Sequence, residues 1–167
     1  MTTGFLGVAA SPEEVGAFVP GDALVPAPDV VMDRGFDLPG LPDAVWPWIV
    51  QLGKERSGWY LPRWGEALIP AARRALRTID PALQALRVGD VIADWGGPGA
   101  AFEIVAVDRL RALVHRSQRG ALAVSWAIML RPGRRRHVKM SATYLPCVRS
   151  TSSIHASASG LEAPVAS

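Results

Sequence analysis

With 167 residues, 49% of them hydrophobic, the chain has the length of one domain and enough apolar content for a sizeable core. The net charge of +3 is carried by residues 131–167, which hold six Lys/Arg and one Asp/Glu; the run Arg134–Arg136 lacks the interleaved aromatics of a nucleic-acid module, so no specific nucleic-acid binding is expected. A lone cysteine, Cys147, excludes an internal disulfide and suits the cytoplasm, no apolar run approaches the ~20 residues of a membrane span, and the N-terminus lacks the basic segment of a secretory signal.

Residues 1–22 read as an extension with one short helix. Ser11 and Glu14 make a capping-box pair, and Pro12 suits a first helical position. Residues 23–38 read as extended, with Pro26 and Pro28 confining the early part to an edge or irregular strand. Val30, Met32 and Arg34 alternate with Val31, Asp33 and Gly35, which predicts the first strand of a sheet. After the loop LPGLPD, Pro42 and Asp43 start a helix that runs to about Leu52, with Pro47 in its first turns. Gly53 and Gly58 bracket the exit. A second helical region, Trp64–Leu76, is cut by Pro70.

From Asp90 onward the period changes to two. Candidate strands are Val91–Trp95, Ala101–Asp108, Ala112–Ser117, Leu122–Leu130 and His137–Tyr144, separated by the turn-like GGPGA, DRLR, QRG and PGRRR. GGPGA lacks the Lys-Ser/Thr and the helix of a phosphate loop, so it reads as a hairpin turn. Helices first and a strand meander after them imply an α+β domain. That domain is expected over residues 23–146. Residues 147–167, rich in Ser and Ala, read as a disordered tail.

The aromatic residues are unevenly placed. Four of the six tryptophans, Trp46, Trp48, Trp59 and Trp64, fall within residues 42–65. Rings this large and this close either fill a core or line a cavity. The order PDAVWPWIVQLG, GWY, LRVGDVI, GGPGAAFEIVAVDRLRALVHRS and VSWAIMLRP resembles bacterial members of the SRPBCC superfamily, the START-like, Bet v 1-like and polyketide-cyclase-like helix-grip proteins. The stretch Ser11–Phe36 fits the same subgroup, and the resemblance covers roughly residues 11–132. It implies a helix-grip fold: a curved antiparallel sheet, with helices between its first and second strands. The superfamily shares a cavity rather than a catalytic set. Its members usually end in a long helix across the sheet, and the polar residues 148–167 do not supply one. The expected consequence is an open groove and self-association through an uncovered sheet face.

Candidate ligand-binding residues follow from these patterns. Trp59, Tyr60 and Trp64 come after the first helix, where they either line a pocket or pack in the core; Trp48 and Gln51 lie on the helix itself. Trp126 and Ile128 share a strand face with Leu130, and Phe102 joins that stripe. Trp95 precedes the glycine turn, at a pocket mouth or a plain strand end. His115 is a polar candidate, although a lone strand histidine is more often structural or exposed than catalytic. Glu103 reads as an outward carboxylate. No catalytic set, metal site or cofactor is expected. The leading reading is a cavity for a hydrophobic or amphipathic small molecule, lipid- or polyketide-like. The alternatives are a cyclase- or dehydratase-type enzyme on a polyketide-like substrate, and a partial domain without a ligand.

Overall fold

In the computed structural model the described residues are 8–9, 12–58, 65, 68, 70, 74–94, 96–132 and 137–148. They form one seven-stranded sheet: β1 (Val8–Ala9), β2 (Met32–Pro39), β3 (Val91–Ala93), β4 (Ala101–Asp108), β5 (Ala112–Arg119), β6 (Leu122–Pro132) and β7 (His137–Val148). The spatial order is β1-β2-β7-β6-β5-β4-β3, and every neighbouring pair is antiparallel. A four-residue helix α1 (Pro12–Val15) precedes β2, and α2 (Pro42–Val50) lies between β2 and β3. This is the α+β helix-grip layout that the resemblance implies. Among the described residues no helix is long and apolar enough to cross a membrane.

Several expectations shift in detail. The first long strand begins at Met32 rather than at Val30, and Asp22–Leu24, at the start of the stretch expected to be extended, form a 3-10 turn. β3 stops at Ala93, while β5, β6 and β7 outrun their expected ends. Cys147 and Val148, assigned to the tail from composition, belong to β7. Their pairing with Ala123 and Leu122 continues the ladder, and a partner strand outweighs local polarity. The rest of the expected tail, the capping residue Ser11 and most of the helical region 64–73 lie outside the described residues. Residues 74–76, the end of that expected helix, are not helical.

Local chemistry explains α2. Pro42 occupies its first turn, and Asp43 Oδ1 accepts from the Ala44 N–H at 3.0 Å. Pro47 stands five residues beyond Pro42, deeper than the first turn, and so removes one helical hydrogen bond. Packing holds the helix despite this. Val45, Trp46, Ile49 and Val50 are buried against Ile92, Ile104, Leu113, Ile128 and Leu130 of the sheet. The helix is terminated by Gly53, whose φ of 133° suits glycine and where a Cβ would stand 2.4 Å from Ile92 Cγ2.

The opposite sheet face is covered as well. A strap at residues 17–25 lies over it, with Val19 packed on Val114 and Ala127, and Val25 on Ala123. Consecutive β6 residues are therefore buried on alternate faces, and Ala123, Val124, Ser125, Ala127 and Ile128 all lie below a tenth exposure. The face that meets α2 is the inner face of the sheet, and the face under the strap is the outer.

Candidate functional site: an aromatic and charged cluster on the inner face

Strand alternation brings three of the expected residues together. His115 stands opposite Trp126 across the β5–β6 ladder and opposite Ile104 across β4–β5. The His115 and Trp126 rings stack with centroids 4.6 Å apart and planes inclined by 21°. Phe102 meets His115 edge-on at 6.0 Å and Trp126 at 5.8 Å. Such contacts each contribute about 0.5–1.5 kcal/mol beyond burial of area. Phe102 and His115 are buried, while Trp126 is only half-buried. Ile128 lies on the same face, in the core with Leu113 and Leu130.

The protonation of His115 follows from its contacts. Nδ1 is 3.1 Å from the Trp126 carbonyl oxygen, which can only accept. Nδ1 therefore carries the proton of the neutral ring, and Nε2 holds the lone pair. Burial pushes the imidazole pKa down from 6.5 to about 4, against a smaller upward effect of that hydrogen bond. At neutral pH the ring is an uncharged aromatic with one acceptor nitrogen.

A charged group borders the rings. The Arg119 guanidinium lies 5.2 Å from the Phe102 centroid. Its Nη2 donates to Asp94 Oδ2 at 2.6 Å and its Nε donates to Ser117 Oγ at 3.0 Å. Ser117 Oγ in turn donates to the Ala101 carbonyl at 2.6 Å. Both side chains of the ion pair are about four-fifths buried. Gly96 makes room for the arginine, since a Cβ there would stand 2.0 Å from Nη1. Lys54 Nζ donates to the Asp94 carbonyl at 3.4 Å. Arg119, Asp94 and Ser117 were not among the candidates read from sequence. The available signal was period two, which places residues 113, 115, 117 and 119 on one strand face.

The other candidates are placed differently. Gln51 is fully buried, but its amide holds the chain together. Nε2 donates to the Thr78 carbonyl at 3.1 Å, and Oε1 accepts from the Asp80 N–H at 3.1 Å and from Gln84 Nε2 at 3.4 Å. Trp48 is half-buried on α2. Trp59, Tyr60, Trp64 and Trp95 lie outside the described residues. Glu103 points to the outer face, half-exposed and paired with Arg116 at 2.7 Å.

No protein-family model matches the chain, and no curated protein matches it. Among solved structures it is similar to MLL2253 from Mesorhizobium loti, with 15% identity, a TM-score of 0.41 and coverage of 69% of this chain and 75% of that one. It is similar to PFC0360w, an HSP90 activator from Plasmodium falciparum, with 12% identity, a TM-score of 0.44 and coverage of 69% and 71%. A third is DynU16, a protein of the dynemicin biosynthetic locus, with 17% identity, a TM-score of 0.43 and coverage of 75% of this chain but 40% of that one.

Proposed function

We propose that this chain is a binding module of helix-grip type that holds a hydrophobic or amphipathic small molecule against the inner sheet face. The observation that carries the reading is the cluster of Phe102, His115 and Trp126 beside the Arg119–Asp94 pair. It combines aromatic rings, of which Trp126 is half-exposed, with a few fixed polar groups, the side-chain chemistry of many small-molecule sites. Trp126 stays half-exposed beside Ile128 and Leu130, which are buried. Affinity would come from apolar burial at about 25 cal/mol per Å², with the acceptor nitrogen of His115 and the guanidinium fixing orientation.

The same cluster weighs against catalysis by His115. A general base works best with a pKa near the operating pH, and a ring held at about 4 is a poor one. Titration with 2-naphthol and with decanol, followed by amide chemical shifts, tests the binding reading. Saturable shifts centred on Phe102, His115 and Trp126, with Trp126→Ala weakening binding about tenfold while the fold persists, are the expected result. Absence of saturable binding by the folded protein for both probes would sink it.

A further inference from the structure

The outer face carries a hollow, distinct from the cluster above. Its volume is about 400 Å³, within the range of small-molecule pockets. The strap forms one wall with Leu24 and Val25, β3 gives Val91, and β4 and β5 give Ala101, Glu103 and Arg116. Two features of the sequence make the space. The strap sits tight on the sheet at Gly21, where a Cβ would stand 2.7 Å from Ser125 Oγ, and its cover ends near Val25. Beyond it the floor is formed by Ala101 and Ala123, which carry only a methyl group where Val114 on the same face carries a larger side chain. Val91, at 69% exposure, leaves an apolar edge open to solvent.

The polar groups at this hollow select a ligand chemistry. Arg116 Nη2 donates to Glu103 Oε2 at 2.7 Å, and both side chains remain about half-exposed. The guanidinium has five N–H donors and the carboxylate two oxygens, so each keeps capacity after this bond. The pair is neutral as a whole. A ligand carboxylate would meet Arg116 but face Glu103; an ammonium would meet Glu103 but face Arg116. A neutral carboxamide satisfies both, its oxygen accepting from Arg116 and its NH₂ donating to the free oxygen of Glu103. An aromatic or short aliphatic body then lies on Ala101, Val91, Leu24 and Val25.

We infer that this outer-face hollow is a binding site for a small apolar carboxamide. The inference does not depend on the inner-face reading. Titration of the folded chain with benzamide, benzoate and benzylammonium, followed by amide chemical shifts, tests it. Benzamide is expected to give saturable shifts at Ala101, Glu103, Arg116 and Gln118, with the two charged analogues binding about tenfold more weakly, the factor that 1.4 kcal/mol represents. Ala101→Phe fills the hollow and should abolish the shifts. Arg116→Gln, at a half-exposed position that leaves the core untouched, should weaken benzamide and turn the preference toward benzylammonium, because Glu103 is then unopposed. Benzoate binding as tightly as benzamide would overturn the inference. So would shifts confined to Phe102, His115 and Trp126, an unchanged preference in Arg116→Gln, or no saturable shift at all.

Discussion

Among the described residues, helix α2 covers part of one sheet face and the strap part of the other, by different means. The inner face carries large side chains, with Ile104, Leu113, Ile128 and Leu130 packed under a regular helix and Phe102, His115 and Trp126 clustered on the same face. The outer face, where it is closed, carries smaller ones, Val114, Ala123, Ser125 and Ala127, under a strap that has little regular structure. Large residues leave room for a helix about 10 Å across, whereas small residues let a bare chain come within contact distance. Ionic groups follow the same division. The inner pair, Arg119 with Asp94, is mostly buried, and the outer pair, Arg116 with Glu103, is half in water.

The sharpest way to break this comparison is to empty each core in turn. Ile104 is fully buried on the inner face, and Ile104→Ala should cost about 4 kcal/mol in denaturant unfolding. Val114, equally buried on the outer face, loses less volume, and Val114→Ala should cost about 2 kcal/mol. If the outer substitution proved the more damaging, the strap rather than the helix would be the main source of stability.

The next largest effect is a pH dependence confined to the inner face. The His115 pKa is lower in the folded chain than its ordinary 6.5, so the unfolded chain binds the extra proton first as pH falls. Stability is therefore expected to be flat above pH 6.5, to fall between 6.5 and 4, and to level off below. The full drop attributable to this group is on the order of 3 kcal/mol. Thermal or urea unfolding across that range measures it. His115→Phe should remove most of the slope, and an unchanged slope would show that other groups carry it and that burial does not lower the pKa of His115.

A smaller effect belongs to the strap. Gly21 has φ 137° and lies against Ser125, so Gly21→Ala combines a strained backbone with a close contact and should cost about 2 kcal/mol. Exposure of the Ser125 and Ala127 amides to hydrogen exchange should rise in this variant while the inner aromatic shifts stay in place. Movement of the His115 and Trp126 resonances would instead couple the two faces.

The ion pairs give the finest distinction. Asp94→Ala leaves Arg119 mostly buried and unpaired, with an expected loss of about 2 kcal/mol, less than for a fully buried pair. Glu103→Ala, at the half-exposed pair, should cost less than about 1 kcal/mol and become undetectable in high salt. Equal losses at the two positions would mean that water reaches both pairs alike.

The inner face was more legible in the sequence than the outer. β4 matches its expected limits because an apolar run containing Ile104, Val105 and Val107 is bracketed by GGPG and DRLR, although a register shift between Ile104 and Ala106 interrupts its alternation. Trp126 and Ile128, with Phe102, were legible as one surface because period two is a local property, whereas His115 read only as a separate polar candidate. The strap was not, since residues 17–25 show no helical or strand period and their burial depends on β5 and β6, about a hundred residues away. Arg119 and Asp94 escaped notice for a related reason. They meet only because the turn at 96–100 folds β3 onto β4, and no spacing rule links positions 25 residues apart. Gln51 read as a ligand group because a polar residue follows an apolar helix. Its partners at 78, 80 and 84 lie in a segment without a periodic signature.

The pairing of β2 with β7 sets an order of assembly. Strands β3 to β6 are joined by short turns, so each hairpin closes a small loop at low entropic cost. Met32 pairs with Tyr144, more than a hundred residues further along the chain. Contacts this distant in sequence close late and slow the folding of the whole. During synthesis β2 therefore emerges long before the strand that receives it. Until β7 arrives, Val30, Val31 and Met32, still 41–54% exposed in the finished fold, stand beside an unpaired strand edge. This is the interval in which the chain is most open to pairing with a neighbouring copy of itself.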